Sequence, residues 1–180
     1  MNYAAIKKND IANGLGVRVS LFVSGCRHKC PGCFNAEAWD FAFGAPYTAE
    51  VQKEILLAEG KEHVTGLSFL GGEPFEKENR DALAALAQAH RKAYPEKTVW
   101  CYSGFTFEEL YADAGARALL SAIDVLVDGR FEMDKKDLSL LFRGSSNQRI
   151  LDVKASLAAG SAVWLRGVWE RRVGSNDITE

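Results

Sequence analysis

Three of the four cysteines, Cys26, Cys30 and Cys33, lie within a single loop of eight residues. Their C-x3-C-x2-C spacing allows several thiolates to surround one inorganic centre, and iron–sulfur clusters are held by thiolates. Three ligands to a four-iron cluster would leave one iron open for chemistry. A structural zinc site, with His28 as the fourth ligand, is an alternative that the loop alone leaves open. Cys101 lies far along the chain in an apolar segment, where we expect a small core residue.

The composition narrows the class of protein that could carry this loop. The chain has 180 residues, 47% of them hydrophobic and 26% charged, with a net charge of −2. These values predict one globular domain over residues 1–180, with a frayed tail over roughly residues 174–180. The chain has no excess of basic residues of the kind that binds nucleic acid. Its sequence also shows no apolar run of the roughly 20 residues that span a bilayer and no signal peptide. We therefore expect a cytoplasmic protein, in which cysteines stay reduced.

Strand and helix patterns alternate along the chain. Four β-branched, apolar segments predict strands, and two weaker segments follow: residues 17–24, 64–70, 98–103 and 123–128, then 148–153 and 162–166. Between them, Thr48 is a candidate helix cap, residues 76–94 have the spacing of a helix with one buried face, and Thr106 with Glu109 forms a capping box. Asp152 and Gly160 bracket a further short helix.

This alternation predicts an α/β fold with a parallel sheet, either open or closed into a partial barrel. In both arrangements ligands bind at the carboxyl ends of the strands. The unusual residues of this sequence follow the predicted strands: the cysteine loop (residues 26–33), Gly71-Gly72-Glu73-Pro74, Ser103-Gly104 and Asp128-Gly129. We expect the topology to bring them together. Taken alone, the Gly-Gly-Glu-Pro turn is equally typical of a strand-to-helix connection.

Five stretches of the sequence resemble a known family. The cysteine spacing and the Gly-Gly-Glu-Pro turn are similar to the radical S-adenosylmethionine superfamily, and the whole set resembles its activating enzymes for anaerobic (class III) ribonucleotide reductases. The stretches are LFVSGCRHKCPGCFN (21–35), LSFLGGEPFEKEN (67–79), WCYSGFTFEEL (100–110), VLVDGRFE (125–132) and FRGSSNQRI (142–150). Phe34 stands where tyrosine is common, and the tail after Lys154 has no clear counterpart.

The resemblance implies a fold, two cofactors and a set of site residues. It implies an incomplete (β/α) barrel with mostly parallel strands and outer helices. Cys26, Cys30 and Cys33 would bind a 4Fe–4S cluster, whose open iron is chelated by S-adenosylmethionine. The turn at Gly71, Gly72 and Glu73 would meet the methionine ammonium group. Further expected contacts are Gly32, Cys33 and Phe34 near the adenine, and Ser103 and Asp128 at the methionine or ribose portion.

Some of these residues have ordinary structural interpretations as well. Phe34 could be a core residue, and Asp128 before Gly129 could form a local turn. The polar stretch Arg143–Arg149 could be a plain loop, or a surface that receives the partner or closes over the cofactor. His63 and His90 are expected to be structural.

By resemblance, reductive cleavage of S-adenosylmethionine would yield a 5′-deoxyadenosyl radical. That radical would abstract hydrogen from a glycine near the C-terminus of anaerobic ribonucleoside-triphosphate reductase, the protein substrate. The electron would come from an unidentified low-potential donor. The alternatives are an activase of another glycyl-radical enzyme such as pyruvate formate-lyase, a short radical enzyme for a small substrate, and a non-catalytic zinc-stabilised module.

Overall fold

One seven-stranded sheet organises the computed structural model, which describes residues 1–167. The strands are β1 (Asn2–Asp10), β2 (Val17–Val23), β3 (Ala45–Pro46), β4 (Val64–Gly71), β5 (Thr98–Tyr102), β6 (Val125–Asp128) and β7 (Arg149–Asp152). The helices are α1 (Ala49–Glu59), α2 (Arg80–Ala93), α3 (Phe107–Ala112), α4 (Arg117–Leu120) and α5 (Val153–Ala159). Short 3-10 helices lie at Ala36–Trp39 and Met133–Lys135. The frayed tail expected over residues 174–180 lies outside the described residues.

The centre of the sheet is parallel and its edges are antiparallel. The order is β3-β1-β2-β4-β5-β6-β7, and β2, β4, β5 and β6 are parallel neighbours. The four strongly predicted strands are therefore confirmed, as is their parallel pairing. The protein is a mixed α/β structure, because β1 and β7 run antiparallel to their neighbours β2 and β6.

Three features of the sheet differ from the sequence-based expectations. The strand expected near residues 148–153 is present as β7, but it pairs antiparallel with β6. The segment 162–166 contributes a single bridge between Leu151 and Trp164 instead of a strand. Strands β1 and β3 were not predicted. Most of β1 is exposed or half-buried, so its pairing depends on backbone hydrogen bonds more than on an apolar pattern.

Helix caps follow the sequence closely. The Thr48 side chain accepts from the backbone N–H of Val51, and Thr106 forms the expected capping box with Glu109. Asp152 caps α5, which ends at Gly160. The long helix starts at Arg80 instead of residue 76, because residues 73–79 form successive turns that begin with the bond from Glu76 N–H to the Glu73 carbonyl.

The two faces of the sheet have different chemistry. One face packs against the helices and forms the main core, with Leu21, Phe69 and Cys101 fully buried. The prediction that Cys101 is a core residue is confirmed. The other face is smaller and more polar, and its centre is Trp100 beside the buried guanidinium of Arg18, which bonds to the Ser68 hydroxyl at 2.7 Å. Within residues 1–167 no helix is long and apolar enough to cross a membrane; the expected cytoplasmic location stays a prediction.

A buried histidine–carboxylate pair joins α1, α2 and the start of β5. His90 Nδ1 lies 2.9 Å from the Glu59 carboxylate and Nε2 lies 3.0 Å from the Lys97 carbonyl oxygen, and both side chains are fully buried. This contact agrees with the structural role expected for His90. We predict that His90→Leu lowers the free energy of unfolding by about 3 kcal/mol, because Glu59 then stays buried without its partner. Anaerobic urea unfolding measures this.

The matched control is His63→Leu. His63 is exposed and bonds to Asn9 at 2.8 Å, and its replacement should stay within about 0.5 kcal/mol. Equal losses in the two variants would contradict a specific role for the buried pair.

Candidate functional site

A cavity of about 510 Å³ opens at the carboxyl ends of the central parallel strands. This volume lies within the range of small-molecule sites. Every site residue expected from the sequence except Asp128 lines it, namely Cys26, Cys30, Gly32, Cys33, Phe34, Gly71, Gly72, Glu73 and Ser103. The opposite wall comes from the β6–β7 loop (residues 129–148), including Phe131 and Leu140. The topology thus brings the predicted residues together, and their roles stay predictions.

Backbone contacts seat the cysteine loop beside the glycine turn. Val23 at the end of β2 is in parallel register with Gly71 at the end of β4. Just beyond, the Glu73 N–H donates to the Gly25 carbonyl at 2.8 Å. Gly71 has φ +111°, and a Cβ there would lie 2.6 Å from the Val23 carbonyl oxygen. This glycine is therefore required for the approach of two strand ends, independently of any ligand.

Arg27 holds the outer side of the cysteine loop. Its backbone N–H donates to the Glu76 carboxylate at 2.8 Å, and its guanidinium pairs with both Glu76 and Glu78. The guanidinium carbon also lies 4.3 Å from the centre of the Phe41 ring. Glu76 is buried, so this anchor fixes the first turn of the loop firmly.

The three loop thiols differ in exposure. Cys26 is buried whereas Cys30 and Cys33 are half-buried, and all three are free. Burial raises the pKa of Cys26 to about 11, and the backbone N–H groups of His28 and Lys29 oppose this shift in part. Burial also raises the pKa of Cys30, opposed by the backbone of Phe131 in the β6–β7 loop and the charge of Arg130. Without a bound cation, these two sites disfavour their thiolates.

Glu73 is the centre of the hydrogen-bond network. Its side chain is 1% exposed. One carboxylate oxygen accepts from the Phe75 N–H and the Ser103 hydroxyl, both at 2.9 Å, and the other accepts from the Gly104 N–H at 2.7 Å. His28 Nε2 lies 3.1 Å from that second oxygen. The carboxylate thus joins the loops that follow β2, β4 and β5.

His28 does not take part in a site for a single metal ion. Its imidazole faces Glu73, and among residues 1–167 no three His, Cys, Asp or Glu side chains converge as ligands of one ion. The residue expected as the fourth zinc ligand is thus bonded to Glu73 in this structure. A four-iron cluster is less demanding in this respect, because each thiolate binds a different iron atom. The link from His28 to Glu73 was missed at the sequence level, although its place between two cysteines was a signal.

The surroundings of Asp128 are protein groups, and the expectation that it contacts the cofactor stays a prediction. Asp128 is fully buried and lies outside the cavity lining. Its carboxylate accepts from the Phe107 N–H at 2.7 Å and from Arg149 Nε at 2.9 Å. Arg149 also reaches Glu108, and these carboxylates raise the pKa of its guanidinium. Asp128 thus fixes β7 and the start of α3 to the end of β6, an arrangement that no local sequence pattern indicates.

The polar stretch Arg143–Arg149 folds the β6–β7 loop onto itself. The Gln148 side chain accepts from the Gly144 N–H at 2.9 Å and donates to the Gly129 carbonyl at 3.0 Å, so it ties the two ends of the loop together. Ser145 Oγ accepts from the Glu132 N–H at 3.2 Å. These contacts favour the interpretation in which the stretch shapes the wall of the cavity.

The donor set fits an iron–sulfur cluster with an open side. Three thiols from one loop line one cavity, and the remaining walls leave room for a second group next to them. Comparison with known proteins agrees with this chemistry. The family model for a 4Fe-4S single cluster domain matches residues 12–151.

Several relatives that match most of this chain share one protein name. Anaerobic ribonucleoside-triphosphate reductase-activating proteins are 42% identical in Pasteurella multocida over 152 residues, 83% of this chain and 96% of the relative. The protein of that name in Escherichia coli K12 is 41% identical over 150 residues, 82% of this chain and 96% of the relative. The protein of that name in Enterobacteria phage T4 is 37% identical over 150 residues, which are 83% of this chain and 93% of the relative.

The fold and site define a protein with a single 4Fe–4S cluster domain. At this identity and coverage, the chain belongs to the family of anaerobic ribonucleoside-triphosphate reductase-activating proteins.

The raised pKa of Cys26 predicts the pH dependence of its alkylation in the cluster-free protein. Only the thiolate reacts with iodoacetamide, so the rate at Cys26 should rise about tenfold per pH unit from pH 8 and level off near the pKa of about 11. Mass spectrometry of the Cys26 peptide gives the rate under anaerobic conditions. A plateau below pH 9 would contradict burial as the controlling factor. Cys101, which is fully buried, provides the unreactive reference in the same digest.

A structural role for Asp128 predicts a loss of stability on substitution. Asp128→Asn should lower the free energy of unfolding by about 2 kcal/mol, because the bonds to Arg149 lose their charge. Glu54→Gln is the control, since the pair between Lys8 and Glu54 is exposed and is worth less than about 1 kcal/mol. If Asp128→Asn instead weakens S-adenosylmethionine binding and leaves stability unchanged, the original expectation of cofactor contact is right.

Proposed function

We propose that this chain is an activating enzyme that cleaves S-adenosylmethionine reductively at a 4Fe–4S cluster and generates a glycyl radical on anaerobic ribonucleoside-triphosphate reductase. The observation that carries the proposal is the meeting of the cysteine loop and the Gly71–Glu73 turn on one cavity, in a chain about 40% identical to activating proteins of that name. We infer that the sheet is the incomplete barrel of radical S-adenosylmethionine enzymes, supported by the shared carboxyl edge of β2, β4, β5 and β6.

In this proposal Cys26, Cys30 and Cys33 hold the cluster. The bound cluster would pass one electron to S-adenosylmethionine and break its sulfonium carbon–sulfur bond to give methionine and a 5′-deoxyadenosyl radical, which would take a hydrogen atom from a glycine Cα and become 5′-deoxyadenosine. The electron comes from an unidentified low-potential donor. The chain's own part is to orient the three thiols, to hold the glycine turn beside them, and to wall the cavity against water.

The contacts of the other site residues indicate the role of each in this proposal. Because all the described bonds of the Glu73 carboxylate go to protein groups, the backbone of the Gly71–Glu73 turn is the part left to meet the methionine ammonium group. Phe34 is 88% exposed, so its ring is free to cover an adenine at the mouth of the cavity. Ser103 contributes through Glu73, to which its hydroxyl donates at 2.9 Å.

The first test is anaerobic reconstitution. The proposal predicts about four iron and four sulfide per chain, an electron paramagnetic resonance signal on reduction that shifts with S-adenosylmethionine, and a glycyl radical when the reductase is added. Pyruvate formate-lyase offered in place of the reductase should stay radical-free. Stoichiometric zinc without a cluster would overturn the proposal and favour a non-catalytic module.

Replacing one loop thiol gives the sharpest prediction. Cys30→Ala should lose the cluster signal and with it all glycyl radical formation, because two thiolates of the loop remain for a cluster that needs three. Cys101→Ala is the matched control, since Cys101 lies in the core away from the cavity. Retention of a wild-type cluster in Cys30→Ala would show that this cysteine is not a ligand.

A further inference from the structure

His28 is the inward-facing residue of the segment between the first two cysteines. Its side chain is 5% exposed, whereas its neighbours Arg27 and Lys29 are exposed. A buried polar ring in a loop needs a partner, since an unpaired one costs free energy. His28 has no role in the proposed set of cluster and cofactor ligands.

The surroundings of the His28 ring are specific. Nε2 lies 3.1 Å from the second carboxylate oxygen of Glu73, and the ring packs edge-on against Phe105 with centroids 4.4 Å apart. Gly104 lies directly beneath it, and a Cβ at that position would collide with the imidazole. The ring thus fills the space between the cysteine loop and the loop after β5.

The bond to Glu73 closes a chain of contacts across the site. The same carboxylate oxygen accepts from the Gly104 N–H at 2.7 Å. Backbone bonds of Cys26 and Arg27 hold the beginning of the cysteine loop, and His28 extends this attachment to the middle of the loop. Lys29 follows in a left-handed conformation, with φ +48°, so the chain turns sharply between His28 and Cys30.

We propose that His28 is a positioning residue that fixes the cysteine loop relative to the Gly71–Glu73 turn through its bond to the Glu73 carboxylate. The inference rests on the proposed function, in which the loop holds the cluster and the turn holds S-adenosylmethionine. Release of His28 lets the two parts of the site shift against each other. S-adenosylmethionine then binds less tightly, and its binding shifts the electron paramagnetic resonance signal of the cluster less.

The test compares His28→Leu with His28→Gln. Leucine fills the space without a donor, whereas the amide of glutamine donates from about the same place as Nε2. Each protein is reconstituted anaerobically. The readouts are iron and sulfide content, the dissociation constant for S-adenosylmethionine by equilibrium dialysis, the shift of the paramagnetic signal on cofactor addition, and thermal unfolding of the cluster-free chain.

We expect His28→Leu to weaken S-adenosylmethionine binding about tenfold or more, the scale of one hydrogen bond to a charged group, and to reduce the signal shift. His28→Gln should restore most of both. Lys29→Gln is the matched control, because Lys29 belongs to the same loop but is exposed, and it should bind the cofactor as the wild type does. Should His28→Leu fail to fold, His28→Asn replaces it, since its shorter amide does not reach Glu73.

Wild-type affinity and signal shift in His28→Leu would overturn the inference, as would equal losses in the leucine and glutamine variants. Failure of the proposed function looks different. In that case the wild-type protein itself lacks a cluster or does not respond to S-adenosylmethionine.

Discussion

The buried carboxylate of Glu73 is the constraint on which the site depends. A carboxylate removed from water is costly unless donors surround it, and here the donors are the Phe75 and Gly104 N–H groups and the Ser103 hydroxyl, with His28 facing the same group. These groups come from loops after three different strands. Movement of any of these loops would cost the buried carboxylate a partner, so one side chain ties the three loops together.

That wall is possible because the central strands are parallel. Parallel strands place their carboxyl ends along one edge, and the loops that leave them must meet there. The register of β2 with β4 brings Val23 beside Gly71, so the cysteine loop and the glycine turn start from adjacent points. The helices pack against one face of the sheet and form the apolar core. The opposite, more polar face of the sheet lies beneath the cavity.

The sequence predicts the parts of this arrangement that depend on local pattern. The four central strands, the cap at Thr48, the capping box at Thr106 and the cysteine loop at the end of β2 could all be recognised from residue type and spacing. Strand β1 could not, because its pairing with β2 runs through the backbone while its side chains are largely exposed. Neither could the partner of Asp128, since Arg149 lies 21 residues away and the contact exists only once β7 has paired with β6.

Glu73 and Asp128 share one feature: each is a buried carboxylate whose hydrogen bonds go to protein groups. Each lies at or just beyond the end of a strand, where a free carboxylate would be expected to await a ligand, and each is instead fully engaged by the protein. The cavity beside Glu73 also contains the three loop thiols, and a negative charge there opposes the thiolate form of Cys26. The donors around Glu73 stabilise its carboxylate, yet its charge still adds to burial in raising the pKa of Cys26, so a bound metal centre would have to offset both effects. The cavity wall also contains polar side chains, among them Asn13, Lys136 and Gln148. In this arrangement the two carboxylates act by holding the loops around the cavity in place.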